Sequence, residues 1–205
     1  MSGRVCMLGS SFAVALLLVS SACLTPARGK ATTAPAAPTT APEPMVDNPH
    51  YLAWSKYKPG TQVDLDMKVR AGGQQFTTNV TLTLEEVTPE RAVVESVSKM
   101  HVPGLLAQEQ KQVHTFSAKV PKSEAEQADL PPGSTGEVKD LGTETIQVAG
   151  KRYDAKVIEF TGSAGGNVTQ GKMWRSDEVP GGLLKMESSG PNVKVDMVLK
   201  KVTEK

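Results

Sequence analysis

The chain has 205 residues, of which 39% are hydrophobic and 22% are charged, and its formal net charge is +1. Residues 45–205 suffice for one domain with an ordinary hydrophobic core, and this size argues against a multidomain enzyme. They carry 20 Lys and Arg against 21 Asp and Glu, so the overall charge does not indicate binding to nucleic acid or to an anionic membrane surface.

Residues 1–22 have the three-part pattern of a secretory signal peptide. Arg4 precedes a mostly apolar stretch that is continuous from 12 to 19, and three small residues follow at 20–22. Gly9, Ser10 and Ser11 interrupt the apolar stretch, and its continuous part of 8 residues is far shorter than the roughly 20 residues that a transmembrane helix needs. The sequence therefore predicts a cleaved leader rather than a membrane anchor.

Cys23 follows the small residues directly, and the segment 18–23 (LVSSAC) resembles the lipobox of bacterial lipoproteins. This resemblance implies that Cys23 carries acyl chains such as palmitate and becomes the first residue of the mature protein, with a lipid bilayer as its partner. The other cysteine, Cys6, lies in the predicted leader, so an internal disulfide is not expected. Simple secretion is the alternative, because Ser20 and Ala22 also suit an ordinary cleavage site.

The next segment predicts a tether. Residues 24–44 contain six Ala, five Thr and five Pro, a composition that buries little apolar surface and favours extended conformations. Residues 23–44 are therefore expected to form a lipidated cysteine with its linker, and residues 45–205 a single β-rich domain. A disordered tail without a spacer role has the same composition and stays an alternative.

The domain is predicted to begin with a short helix. Asn48 is a suitable N-cap, Pro49 suits the first turn, and Tyr51, Trp54 and Tyr57 recur every three residues. This aromatic stripe predicts a helix that packs on a sheet, with an aromatic binding surface as the alternative.

Period-two alternation then predicts about nine strands. It is clear at 61–70, 76–84 and 193–202, and further strands are expected at 91–102, 112–120, 143–148, 153–160, 168–175 and 183–188. Turns are expected at 71–74, 88–90, 149–152 and 162–166, and residues 123–129 could form one or two helical turns. The predicted fold is a β-rich α+β domain in which an antiparallel meander sheet follows a short N-terminal helix.

Two features suggest an apolar binding region. Five of the eight methionines lie in or beside predicted strands, where they could line an adaptable pocket or simply fill gaps in the core. The segments 102–106 (VPGLL) and 179–184 (VPGGLL) are alike. They could flank a pocket mouth or touch a membrane, and the alternatives are two buried corners or a coincidence of sequence. The candidate pocket or contact residues are Trp54, Met67, Leu105, Leu106, Trp174, Leu183 and Leu184.

Catalytic motifs are not found. The sequence contains no nucleophile elbow, phosphate-binding loop, cysteine pair or zinc-protease motif. His50, His101 and His114 are not spaced as metal ligands, and the glycines at 162–166 precede a strand rather than the helix that a phosphate loop requires. We expect no enzyme activity, no cofactor and no metal.

The segments 173–187 and 54–60 resemble uncharacterised bacterial envelope lipoproteins. More distantly, the order of helix, long strands and apolar inner face resembles the open half-barrel of lipoprotein carriers of the LolA, LolB and LppX type. This resemblance implies an open half-barrel sheet, but it does not fix a function.

The sequence favours a non-enzymatic lipoprotein, tethered to a membrane and facing the periplasm, that binds an apolar ligand or an envelope protein. A structural or assembly lipoprotein with a filled core is the alternative, and a secreted enzyme is a third. Leu24 follows the cysteine in place of the Asp that retains many lipoproteins at the inner membrane, which weakly favours the outer membrane. A pocket between the helix and the sheet would support ligand binding, whereas tight packing there would support the structural alternative.

Overall fold

The computed structural model describes residues 43–101, 107–130, 135–164 and 167–205. In chain order the elements are β1 (Met45–Asp47), α1 (Pro49–Ser55), β2 (Gln62–Ala71), β3 (Gln74–Val87), β4 (Arg91–His101), β5 (Gln108–Ser117), β6 (Lys119–Pro121), α2 (Lys122–Glu126), β7 (Thr135–Val148), β8 (Lys151–Ala164), β9 (Asn167–Arg175), β10 (Leu183–Ser189) and β11 (Val193–Thr203).

Nine of these strands form one antiparallel sheet in the order β5-β4-β3-β2-β11-β10-β9-β8-β7. Each strand lies beside its neighbour in the chain, except where the last strand, β11, pairs with β2 and joins the two halves. The sheet is not closed, because β5 and β7 are its two edges in the described part of the chain. The predicted β-rich meander and open half-barrel are therefore confirmed.

The alternating sequence determines which face of each strand is buried. Val63 and Leu65 on β2 are 1% and 3% exposed, whereas Asp64 between them points to the other face and accepts a hydrogen bond from Thr81. The hairpin between β2 and β3 turns at Gly72, whose φ is +57°. Glycine adopts this left-handed conformation without steric cost, which explains why the chain turns there.

The N-terminal helix α1 is also confirmed, with the expected cap. The side chain of Asn48 accepts a hydrogen bond from the backbone N–H of His50 at 2.9 Å, and Pro49 occupies the first turn. The Asn48 amide also donates to the Ser117 carbonyl at 2.8 Å. The cap residue therefore joins the start of α1 to the end of β5.

The main hydrophobic core lies where α1 meets the sheet. Trp54 enters it from α1, and the sheet and the β9–β10 connection contribute the other buried members, which include Val63, Leu65, Leu84, Val94, Val157, Val179, Leu184 and Leu199. A smaller cluster of Leu130, Phe160 and Met173 lies beyond it. Burial of these side chains is the main source of stability that the structure shows.

Several predicted boundaries were wrong. The strand expected at 112–120 is two strands, because the chain bends at Ala118 and β6 then pairs with β1 rather than with β4. The strand expected at 143–148 is the second half of β7. The turn expected at 162–166 is shorter, because Gly162 and Ser163 still pair with β9.

Candidate functional site: a helix–sheet cleft

Trp54 and Leu184, two predicted pocket residues, lie in the packing beneath α1. Trp54 is 3% exposed and Leu184 has no exposed surface. The backbone N–H of Gly181 donates to the Ala53 carbonyl at 3.0 Å, which fixes the β9–β10 connection against the helix. On this side the helix is tightly packed, as a filled core requires.

Trp174 and Leu183 lie at neighbouring positions in the sheet. Trp174 is 8% exposed, and its indole N–H donates to a carboxylate oxygen of Glu144 at 3.0 Å. The ammonium group of Lys185 lies 4.5 Å from the centre of the Trp174 ring. Leu183 is half-buried and contacts both hydrophobic clusters. A binding role for these four residues stays a prediction.

One of the two similar Pro-Gly segments is described by the structure. Val179 and Pro180 are buried at a corner, and Gly181 and Gly182 both have positive φ angles. This segment is a buried corner that connects β9 to β10. The other segment, 102–106, lies outside the described residues, and so do the predicted contact residues Leu105 and Leu106.

Met67 lies in a row of methionines that crosses the sheet. It is directly opposite Met197, which is opposite Met186, which in turn is opposite Met173. Side chains at directly opposite positions of antiparallel strands point to the same face. The sequence suggested that these methionines share a role, but their alignment becomes visible only when the strands are paired.

The other side of α1 faces an open space, which we call the helix–sheet cleft. It has a volume of about 500 Å³, and its lining includes Pro49, Leu52, Ala53, Lys56, Asp129, Lys156, Ile158 and Arg175. Leu52 is 50% exposed, whereas Ile158 is 1% exposed. The cleft therefore combines accessible apolar surface on the helix with charged side chains on β8, on β9 and in the segments that follow α1 and α2.

Ion pairs order these charged side chains. Arg175 binds the carboxylate of Asp129, and the two side chains are only 16% and 29% exposed. Lys156 lies 3.3 Å from a carboxylate oxygen of Asp140. At the end of the helix, the ammonium group of Lys56 donates to the Asp177 carbonyl. The cleft thus presents charges of both signs, which are held in place by partners on neighbouring elements.

His50 lies near the Arg175–Asp129 pair and stacks on Phe116 with 5.2 Å between the ring centres. Burial lowers the pKa of His50 below its ordinary value of 6.5; the guanidinium of Arg175 lowers it further, and the carboxylate of Asp129 opposes them. His50 is consequently neutral at pH 7. Its position suits a structural contact at the start of α1.

The polar residues of the cleft were not predicted from the sequence. Asp129, Lys156 and Arg175 come from three separate segments, and no spacing in the sequence indicates that they meet. In the part of the chain that the structure describes, no three His, Cys, Asp or Glu side chains are grouped as a metal site would require. Neither described helix has the length and hydrophobicity that a membrane crossing requires.

Comparisons with known proteins give fold-level likenesses. No model of a known protein family matches the chain, and no curated protein matches it. Among solved structures, it resembles a protein from Bacteroides fragilis described as an exported protein with a YmcC-like fold. The identity is 10% and the TM-score 0.44, over 74% of this chain and 99% of that chain.

Two further likenesses are of the same kind. A protein from Parabacteroides distasonis, described as a lipoprotein, has 11% identity and a TM-score of 0.47 over 75% of this chain and 99% of that one. A domain from Vibrio parahaemolyticus, described as an outer membrane lipoprotein-sorting protein domain, has 9% identity and a TM-score of 0.28. The likeness covers 71% of this chain and 85% of that one. None of these likenesses carries an argument about function.

Proposed function

We propose that this chain is a bacterial envelope lipoprotein and that its domain binds, without catalysing a reaction, a small ligand with an apolar part. The tether is supported by the lipobox-like segment that ends at Cys23 and by the linker that follows it. Its domain faces the periplasm, and Leu24 weakly favours the outer membrane over the inner one. The ligand site is the helix–sheet cleft.

The observation that carries this proposal is the cleft itself. Its volume of about 500 Å³ falls within the range of small-molecule sites, roughly 300–1,000 Å³. Leu52 offers exposed apolar surface, and Lys56, Lys156 and Arg175 supply hydrogen-bond donors. An amphiphile could place its apolar part against the helix and its polar group toward the strands.

The helix that forms one wall is held on several sides. Asn48 caps its first turn, the Tyr51 hydroxyl donates to the Thr88 carbonyl at 2.9 Å, and Gly181 binds the Ala53 carbonyl. A wall fixed in this way loses little further freedom when a ligand binds, which favours affinity. Leu52 and Lys56 therefore act as a preformed surface.

The alternative is a structural or assembly lipoprotein that holds no ligand. The tight packing of Trp54 against Gly181 supports it, because the side of the helix that carries the indole leaves no room for another molecule. In that case the cleft would be part of a surface that contacts an envelope protein. Detecting the mass of a ligand on the purified protein distinguishes ligand binding from the structural role.

The test is native mass spectrometry of the protein purified from the envelope of the producing organism. We expect mass beyond that of the acylated polypeptide, and Leu52→Asp should abolish it because a carboxylate replaces the apolar wall. Val113→Asp is the matched control, since Val113 is a 61% exposed aliphatic residue on the edge strand β5. A wild-type protein without additional mass would overturn ligand binding and favour the structural alternative.

A further inference from the structure

The methionine row extends over six neighbouring strands. Starting at β4, Met100 is opposite Thr78, and Thr78 is opposite Met67 on β2. From Met67 the row continues through Met197, Met186 and Met173. Five of the six methionines in residues 45–205 thus occupy one line on one face of the sheet.

The middle of this row combines accessibility with close spacing. Met67, Met197 and Met186 lie on the adjacent strands β2, β11 and β10, and all three are half-buried. Neighbouring strands are about 4.8 Å apart, and a methionine has three rotatable bonds, so adjacent thioether sulfurs can converge on one atom. The row ends differ, because Met100 is 39% exposed and Met173 only 9%.

The surroundings of the row offer little to a hard cation. The neighbouring positions on the same face of β2, β3 and β11 are Val69, Phe76 and Val195, whereas Asp66 and Asp196 project from the opposite face. Thioether sulfur is a soft, uncharged donor that selects Cu(I), whereas carboxylate and carbonyl oxygens suit Mg²⁺ and Ca²⁺. The thioether sulfurs therefore favour Cu(I) over Mg²⁺ and Ca²⁺, and the carboxylates that those two ions prefer lie on the other face of the sheet.

Thr78 gives a second indication of a ligand at the row. It is 2% exposed, and its hydroxyl oxygen has no hydrogen-bond partner among the described residues. A buried hydroxyl without a partner costs free energy and calls for an explanation. Its position between Met67 and Met100 places this oxygen where a ligand, or a water bound to it, could satisfy it.

We infer that Met67, Met186 and Met197 form a binding site for a soft monovalent metal ion, Cu(I) or its analogue Ag(I). A row of methionines that only filled gaps would be expected to be buried throughout, whereas the three central residues keep part of their surface in solvent. Partial exposure also limits the cost of desolvating a charged ion. The site is separate from the helix–sheet cleft, so it does not depend on the proposed function.

The test is calorimetric titration with Ag(I), together with competition for Cu(I) against a chromophoric chelator under reducing conditions. The protein carries Cys6→Ser and Cys23→Ser, so that no thiolate competes for the ion. We expect one ion per chain. Replacing Met67, Met186 and Met197 together by Leu should weaken binding by more than the roughly 10–100-fold that is lost when a residue that hydrogen-bonds to a metal ligand is removed. Met45→Leu is the matched control, because Met45 is 57% exposed on β1, outside the row.

A second measurement does not require the triple variant to fold. In the otherwise unsubstituted protein, Ag(I) should shift the ε-methyl NMR signals of Met67, Met186 and Met197 and leave that of Met45 unchanged. Equal shifts at Met45, or undiminished affinity in a folded triple variant, would overturn the site. A protein that binds an apolar dye at the row but does not bind Ag(I) would also overturn the site. This result would show that the methionines line an apolar pocket.

Discussion

Gly181 lies against the indole of Trp54 so closely that a β-carbon at this position would approach the Cζ2 atom of Trp54 to 2.9 Å. The same glycine has a φ of +73° and donates its N–H to the carbonyl of Ala53. At the corner between β9 and β10, the backbone of Gly181 therefore packs directly against the Trp54 ring of α1, and no side chain lies between them.

Replacing this glycine should reduce stability more than its backbone conformation alone explains. Gly181→Ala places an L-residue at positive φ, which costs about 1 kcal/mol, and forces the buried indole to move, which adds about 1–3 kcal/mol. Gly182→Ala is the control, because Gly182 has a similar φ of +76° but its added β-carbon would approach the Arg175 guanidinium only to 3.3 Å, a milder contact than 2.9 Å from the indole. Urea unfolding measures both; equal losses would contradict the Trp54 contact.

Thr78 and Thr81 form an informative pair on β3. Thr78→Val should raise the free energy of unfolding by about 1 kcal/mol, because it replaces a buried hydroxyl that has no partner with a methyl group. Thr81→Val should lower it by about 1 kcal/mol, since the Thr81 hydroxyl donates to Asp64 at 2.8 Å. Thermal unfolding of metal-free protein is the measurement, and a destabilised Thr78 variant would show that the hydroxyl does have a partner.

His50 predicts a specific dependence of stability on pH. Burial, reinforced by Arg175 and opposed by Asp129, makes its pKa in the folded protein lower than 6.5. In the unfolded chain the pKa of His50 has its ordinary value of 6.5. At a pH between this value and the lower pKa of the folded protein, the unfolded chain binds more protons than the folded one. The free energy of unfolding therefore falls as the pH drops through this window. His50→Gln should flatten this part of the profile. His101→Gln, a change at an exposed residue, should leave it unchanged; equally steep profiles for wild type and His50→Gln would contradict the prediction.

Cys23 carries the prediction for membrane attachment. Acyl chains supply about 0.8 kcal/mol per buried methylene, so their removal should release the protein. In cell fractionation, Cys23→Ser should move the protein from the membrane to the soluble envelope fraction, whereas Cys6→Ser should leave it with the membrane. A Cys23→Ser protein that stays with the membrane would disprove the lipid anchor.

Local signals in the sequence predicted the elements that depend on neighbouring residues. Asn48 and Pro49 indicated the start of α1, and Gly72 and Gly73 indicated the first hairpin, because caps and tight turns are set by a few adjacent side chains. The alternation of Val63 and Leu65 with charged residues gave the buried face of β2. These preferences agree with the final fold and needed no tertiary information.

Pairings between distant segments could not be predicted in this way. β1 was not expected, because three residues that follow a proline-rich segment become a strand only when β6 lies beside them. The Arg175–Asp129 pair and the alignment of Met67 with Met197 likewise depend on strands that are far apart in the chain. Register is a property of two strands, so one strand's sequence does not reveal it.

A pull on the proposed tether would enter the domain just before β1, where residues 43 and 44 contact the start of α2. Glu43 accepts hydrogen bonds from the backbone N–H and the hydroxyl of Ser123, and the Lys122 N–H donates to the Pro44 carbonyl. Force transmitted from the membrane would meet these contacts before it reached α1 or the large sheet. They can therefore act as a mechanical clamp, which would open under load while the binding surfaces of the domain stay folded.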